Sequence, residues 1–168
     1  VMPTFKELLA NENSKRSPLF EITNAYRIVN GVSDGFAGLT IDRYGDRYPM
    51  PFFDDTLLSH KDEIVASICE LFEPVCLVSK ERLSKSGRSL ENPDMEVLVG
   101  APADSAGEVF EGSARFNIDL LDTVNPGLFL DMRRNRIDVG SMCSGARFLN
   151  LFSYTCSFSV HARLGGAE

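Results

Sequence analysis

Residues 147–164 place an apolar run, a polar turn and an amphipathic segment in direct succession, an order that suits the binding of a small anionic ligand. Arg147, Phe148, Leu149, Asn150, Leu151 and Phe152 read as a buried strand entered after Gly145. Ser153, Tyr154 and Thr155 read as the turn. Phe158, Val160, Ala162 and Leu164 follow on a helix closed by Gly165 and Gly166. The first N–H groups of a helix have no internal acceptor, so such a turn can hold a carboxylate or a phosphate. Ser153 and Thr155 would add hydroxyl contacts, and Tyr154 or Phe158 an apolar wall. The same succession opens many α/β domains, and no G-x-G-x-x-G accompanies it. On the residues alone, a ligand turn and a plain element junction both stay open.

Other candidates are weaker. Lys80, Arg82, Lys85 and Arg88 make residues 80–94 locally basic, which fits either a solvated loop or an edge that contacts RNA phosphates. Asp131 and Arg133 fit a surface ion pair or a helix cap. His60 and His161 are the only histidines, and His161 reads as a packing or surface residue rather than a base. Cys69, Cys76, Cys143 and Cys156 have no zinc-ligand spacing, so four reduced thiols and no metal are expected. No nucleophile array or pair of carboxylates stands out.

The whole chain bounds these readings. It has 168 residues, 43% hydrophobic and 24% charged, with a formal net charge of −7. That composition suits a soluble globular fold, and its acidity argues against a generic nucleic-acid binder. No apolar stretch approaches the roughly 20 residues of a membrane span. A cytoplasmic protein is expected.

The elements that must position the turn can be read from periodicity. Thr4 and Glu7 form a capping box before a short helix carrying Phe5, Leu8 and Leu9, and residues 11–18 read as a linker. Residues 25–29 and 39–44 read as strands separated by Asn30-Gly31. Residues 47–53 read as a return strand, which Pro49 and Pro51 would confine to an edge. Ser59 and Asp62 read as a capping pair for a helix over 59–73, ended by Pro74. Residues 75–79 and 95–99 read as strands, and 109–116 as a hairpin about Gly112. Asn125-Pro126-Gly127 reads as a turn, with helix from Asp131 onward and Arg133, Arg134 and Arg136 on a basic side.

Three stretches, in order, resemble a known family. Residues 30–46 (Asn30-Gly31 through Asp34-Gly35 and Gly38-Leu39 to Tyr44-Gly45-Asp46), residues 125–136 (Phe129-Leu130-Asp131-Met132-Arg133) and residues 148–160 (Asn150-Leu151-Phe152-Ser153-Tyr154-Thr155) are similar to segments of the 23S rRNA cytosine-5 methyltransferases. Glu108 to Gly112 resembles that family's Glu-Glu-His-Gly hairpin, with Val109 and Phe110 departing from it. The resemblance implies an α+β central domain followed by the first strand-turn-helix of an α/β Rossmann-like methyltransferase domain. Its boundaries would be an N-terminal helix and linker over 1–19, a central domain over 20–120 and the start of the S-adenosylmethionine (SAM) domain over 121–168.

The resemblance also implies SAM as cofactor and RNA, rRNA in particular, as partner. Asn150, Phe152, Ser153, Tyr154, Thr155, Ser157 and Phe158 would form the cofactor turn, and Phe129, Asp131 and Arg133 would line the same pocket. Two departures bear on it. Cys156-Ser157 stands where the family has a small Gly-Gly-type pair, and Met132 stands where it has glutamine. The family's catalytic cysteine would lie beyond residue 168, and Cys156 is not its equivalent. The 168-residue polypeptide alone is therefore expected to lack methyltransferase activity. An uncovered strand face at this end makes a homodimer one expectation. Two alternatives remain beside a SAM-dependent rRNA methyltransferase: a non-catalytic RNA-binding or assembly module, and a dinucleotide oxidoreductase.

Overall fold

The computed structural model of the chain describes residues 3–82, 94–122 and 125–168. Lys85 and Arg88 lie outside the described residues.

The first helix, α1 (Phe5–Ser14), begins at the Thr4/Glu7 capping box, where the threonine hydroxyl accepts from the Glu7 amide and the glutamate reaches back to the Thr4 amide. It runs on through Asn11, Glu12 and Asn13, past the point where their polarity suggests a linker. Tertiary anchoring explains the extension: Glu12 is buried, and Asn13 accepts from the Tyr26 hydroxyl at 3.1 Å.

Five strands follow: β1 (Ala25–Asn30), β2 (Thr40–Tyr44), β3 (Arg47–Phe52), β4 (Cys76–Glu81) and β5 (Asp94–Val99). They form one mixed sheet in the order β1-β2-β3-β4-β5. Helix α2 (Lys61–Phe72) carries the chain from β3 to its parallel neighbour β4, and the other pairings are antiparallel. The α2 N-cap is His60 without a side-chain cap bond, so Ser59 does not cap it; a 3-10 turn over Leu58–His60 leads into the helix instead.

The prolines of β3 do not place it at an edge; it sits in the middle of the sheet. It pairs with β4 over all six of its residues, but with β2 only at Tyr44↔Arg47 and at the isolated bridge Leu39↔Phe52. One register runs through both ends and sets Pro49 opposite Asp42 and Pro51 opposite Thr40. A proline cannot donate to a ladder, so the missing donors all fall on the β2 side.

Both faces of this sheet are covered. Tyr26, Ile28, Ile41, Tyr48, Met50 and Leu77 pack with Leu9 of α1 and with Ile64 and Ile68 of α2. Ala25, Tyr44, Cys76 and Val78 face the other way, against Val109, Phe116 and Ile118 of a separate hairpin, β6 (Ala106–Glu111) and β7 (Ala114–Asp119). Lys80 belongs to β4 rather than to a basic loop. It is buried, and its ammonium donates to the Asp122 carbonyl at 2.7 Å. Burial lowers its pKa to about 8. A phosphate-contacting role for Lys80 is thereby corrected: the group is enclosed, because it extends the apolar strand that precedes it.

Two short helices complete the chain, α3 (Arg133–Ser141) and α4 (Ser157–Leu164). They pack on one another around Cys143, Ala162 and Ala167, with Val139 and Phe148 beside them. Residues 147–152 are not a strand. No described strand runs alongside to satisfy their backbone, and Leu149 and Leu151 stand 78% and 72% exposed. An extended run needs a hydrogen-bonded neighbour as well as apolar side chains.

Candidate functional site

The turn that joins residue 150 to α4 has an uncommon backbone. Phe152, Tyr154 and Cys156 all have positive φ, at 57°, 48° and 60°. Left-handed conformations in residues with a Cβ cost of order 1–3 kcal/mol each and persist only where other contacts fix them. Here the contacts come from the preceding segment. The Tyr154 hydroxyl donates to the Asn125 carbonyl at 2.9 Å, and the Thr155 hydroxyl to the Gly127 carbonyl at 2.7 Å. Gly127 is itself a required glycine. Its φ is +118°, and a Cβ there would meet the Asn117 carbonyl at 2.9 Å.

Cys156 is the N-cap of α4, its side chain makes no cap bond, and its thiol is exposed. The start of α4 thus has no side-chain cap. Glycine is free at a φ of +60°, whereas cysteine is strained. Cys156→Gly is expected to stabilise the chain by about 1 kcal/mol, strain relief outweighing the added freedom of the unfolded chain. A rise in the urea midpoint at unchanged slope would show this; an unchanged or lower midpoint would refute it.

A cavity of about 320 Å³ opens beside this turn. Its walls are Phe129, Asp131, Met132, Arg136, Asn150, Phe152, Ser153, Tyr154, Ser157 and Phe158. The rings of Phe129 and Tyr154 lie 5.3 Å apart, and Phe152 is fully exposed. The Asn150 amide donates to the Ser159 hydroxyl at 3.0 Å, tying the incoming chain to α4. The cavity thus combines aromatic surface, a carboxylate, two serines and an uncapped helix start.

Eight of the ten residues expected to line a cofactor pocket meet here. The other two face elsewhere. Thr155 spends its hydroxyl on Gly127. Arg133 turns back to the first sheet, donating to the Ala25 carbonyl with its Nε 3.3 Å from the Glu111 carboxylate. It lines a second, larger cavity of about 560 Å³ with Arg16, Tyr26, Arg27, Asn30, Asp42 and Tyr44. Phe129 and Asp131 border both cavities. Arg82, the remaining described member of the basic set, follows β4, and its amide donates to the Phe52 carbonyl at 2.8 Å.

Met132 and Arg136 were not anticipated as cavity residues. Arg136 is fully buried and donates to both oxygens of Glu111 at 2.8 Å, and to the Phe129 carbonyl at 2.8 Å. The His161 Nε2 lies 3.0 Å from the same carboxylate. Burial alone would raise the Glu111 carboxyl. The Arg136 hydrogen bonds and the His161 contact outweigh it and hold the group at about 2. Glu111 therefore joins the β6–β7 hairpin to α3 and α4, and Arg136 passes that anchoring on to the cavity wall. The basic side seen in the sequence at 133–136 was the available signal, but its partner across the fold was not visible there.

Residues 76–168 match the model of a family of S-adenosylmethionine-dependent methyltransferases. The chain belongs to that family. A ribosomal RNA large subunit methyltransferase of Deinococcus radiodurans is 33% identical over 89% of the chain and 37% of its own length. Ribosomal RNA large subunit methyltransferase K of Neisseria meningitidis is 35% identical over 75% of the chain and 36% of its own length. Among solved structures, one described as a methyltransferase complexed with SAH superposes with a TM-score of 0.82 at 31% identity, covering 99% of this chain and 43% of that one. A protein from Streptococcus mutans described as SAM-dependent gives the same TM-score and identity, with 44% of its length covered. The chain thus spans well under half of the relatives it matches. Among the described residues no three His, Cys, Asp or Glu side chains are grouped to hold a metal, and no helix is long and apolar enough to cross a membrane.

Proposed function

We propose that this chain carries the cofactor-facing turn of a SAM-dependent rRNA methyltransferase, and that SAM occupies the cavity beside α4. The observation that carries the reading is the convergence of an uncapped helix start, exposed aromatic rings and a carboxylate on one cavity of about 320 Å³. Each part matches a part of the cofactor. The carboxylate of the methionine moiety suits the free N–H groups of α4, which carry the positive end of the helix dipole. The adenine ring suits Phe129, Phe152 or Phe158, and hydroxyls suit Asp131, an acceptor. Relatives named as rRNA large subunit methyltransferases support RNA as the substrate class.

Bound SAM supplies an electrophilic methyl group on sulfur. The chain's own residues bind and orient. Tyr154 and Thr155 fix the turn by their bonds to 125 and 127, Asn150 fixes it to α4, and Arg136 fixes Phe129. The boundaries 1–19, 20–120 and 121–168 fit this division into a helical entry, a substrate-facing part and a cofactor-facing part.

Calorimetric titration of the chain with SAH tests the reading. Binding is expected, and Phe158→Ala is expected to weaken it about tenfold, the loss of one aromatic contact face. Absence of heat with a folded chain, or equal affinity for NAD, would overturn it in favour of a binding module or an oxidoreductase.

A further inference from the structure

We propose that His161 is a positioning residue for the cofactor: its imidazole, held against Glu111, fixes the direction in which α4 presents Ser157 and Phe158 to the smaller cavity. The inference rests on the methyltransferase reading above and deepens it, by giving a part to a side chain that is not a wall of that cavity. Ser157 precedes His161 by four positions and Phe158 by three, so all three lie along one side of the helix.

Helix α4 needs such a hold because its apolar anchoring is slight. It has eight residues. Ala162 is buried against Cys143 and Ala167, and Val160 is partly buried against the cluster that contains Val109 and Phe116. Beside His161 a groove of about 340 Å³ lies open, lined by Ile22, Ile137 and Leu164, all partly exposed. The close approach of Gly165 to Gly140 sets how near α4 comes to α3. Two glycines have no side chains with which to set the rotation of a helix about its axis.

His161 supplies that hold. Its Nε2 lies 3.0 Å from Glu111 Oε1, and its ring stacks on Phe116 at 6.0 Å and 23°. Both strands of the hairpin thus grip the side chain, β6 through Glu111 and β7 through Phe116. An ionised carboxylate only accepts, so the imidazole proton that faces it belongs on Nε2. The same Oε1 accepts from Arg136 Nε at 2.8 Å, and Arg136 donates to the Phe129 carbonyl at 2.8 Å. One buried carboxylate therefore spaces Phe129 on one wall of the cavity from Ser157 and Phe158 on another. Packing would require only bulk at position 161, whereas this positioning requires a donor.

The test compares His161→Gln, whose amide keeps a donor, with His161→Leu, which keeps apolar bulk and loses the donor, both in the full 168-residue chain. SAH affinity is read by calorimetry. His161→Leu is expected to weaken it about tenfold, and His161→Gln to leave it within about threefold of the unmutated chain. If the residue only packs, the order reverses, because leucine suits Phe116 and the aliphatic groove better than glutamine does. That reversed order, or equal affinities in the two variants, overturns the inference, while SAH binding by the unmutated chain keeps the methyltransferase reading. No SAH binding by the unmutated chain overturns both. A second measurement needs no variant to fold. Nitrogen NMR of the imidazole in the unmutated chain should place a proton on Nε2, and the ring signals should shift when SAH saturates the chain. A proton on Nδ1 alone, or ring signals unmoved by bound SAH, overturns the inference.

Discussion

Glu111→Gln is expected to lower the unfolding free energy by about 3–5 kcal/mol, the largest effect of any single substitution considered. The glutamine is nearly the same size, so the loss is electrostatic. It leaves Arg136, fully buried, facing a neutral amide, with Arg133 deprived of the same counter-charge. Removing one partner of a buried ion pair costs more than the pair itself contributes, because the remaining charge stays out of water. Acid should reproduce the effect in the unmutated chain. The Glu111 carboxyl titrates at about 2 when folded and near 4.5 when unfolded. A depressed folded value means that the stabilisation is fully present above about pH 4.5 and is lost as the pH falls towards 2. The displacement corresponds to roughly 3 kcal/mol. Urea unfolding at pH 7 and at pH 3 checks both statements. Stability in the variant should be flatter across that range; a parallel decline in both proteins would remove Glu111 as the cause.

Gly165→Ala is expected to destabilise the chain by about 1–3 kcal/mol and to weaken binding of SAH more than that of any ligand held by β1 and β2. A Cβ at Gly165 would lie 1.9 Å from the Gly140 carbonyl oxygen, and one at Gly140 would lie 2.8 Å from the His161 carbonyl oxygen. These are backbone-to-backbone approaches that no side-chain rotation relieves. Helix α4 must therefore shift away from α3. Because Ser157 and Phe158 open α4 and Arg136 lies on α3, the shift widens the smaller cavity. Thermal unfolding with and without SAH separates the two consequences. A variant with unchanged midpoint and unchanged SAH affinity would show that the helices do not depend on this contact.

Much of the architecture was legible in the sequence because it is written locally. The Thr4/Glu7 box, the hairpin about Gly112 and the α2 periodicity each depend on residues within a few positions, and each appears in the structure. Most of the failures share a cause: they depended on a partner distant in the chain, whereas the Ser59 cap failed locally, displaced by the turn over Leu58–His60. Pro49 and Pro51 suggested an edge because the sequence does not say that β4 pairs on the side where prolines do no harm. Residues 147–152 have strand composition but no strand to pair with among the described residues. Lys80 looked like part of a basic surface because its burial depends on β3, β5 and Asp122. The turn residues of the candidate site were legible from the resemblance. Glu111 and Arg136 were not, since their pairing joins the β6–β7 hairpin to α3, a contact that no local pattern encodes.

The proline-bearing strand also sets where the sheet yields. With ladder contacts to β2 confined to its two ends, β3 leaves a compliant line through the middle of an otherwise continuous sheet. Shear and twist cost least along such a line, because few backbone bonds must stretch. The ribbon β1–β2 on one side of it supplies Tyr26, Arg27, Asn30, Asp42 and Tyr44 to the larger cavity, whereas Phe129, Asp131 and Arg133 come from beyond the sheet. Small rotations of that ribbon therefore change the width of the cavity while β3, β4 and β5 keep their register. Amides of β2 should exchange with solvent faster than those of β4, although both strands lie inside the same sheet.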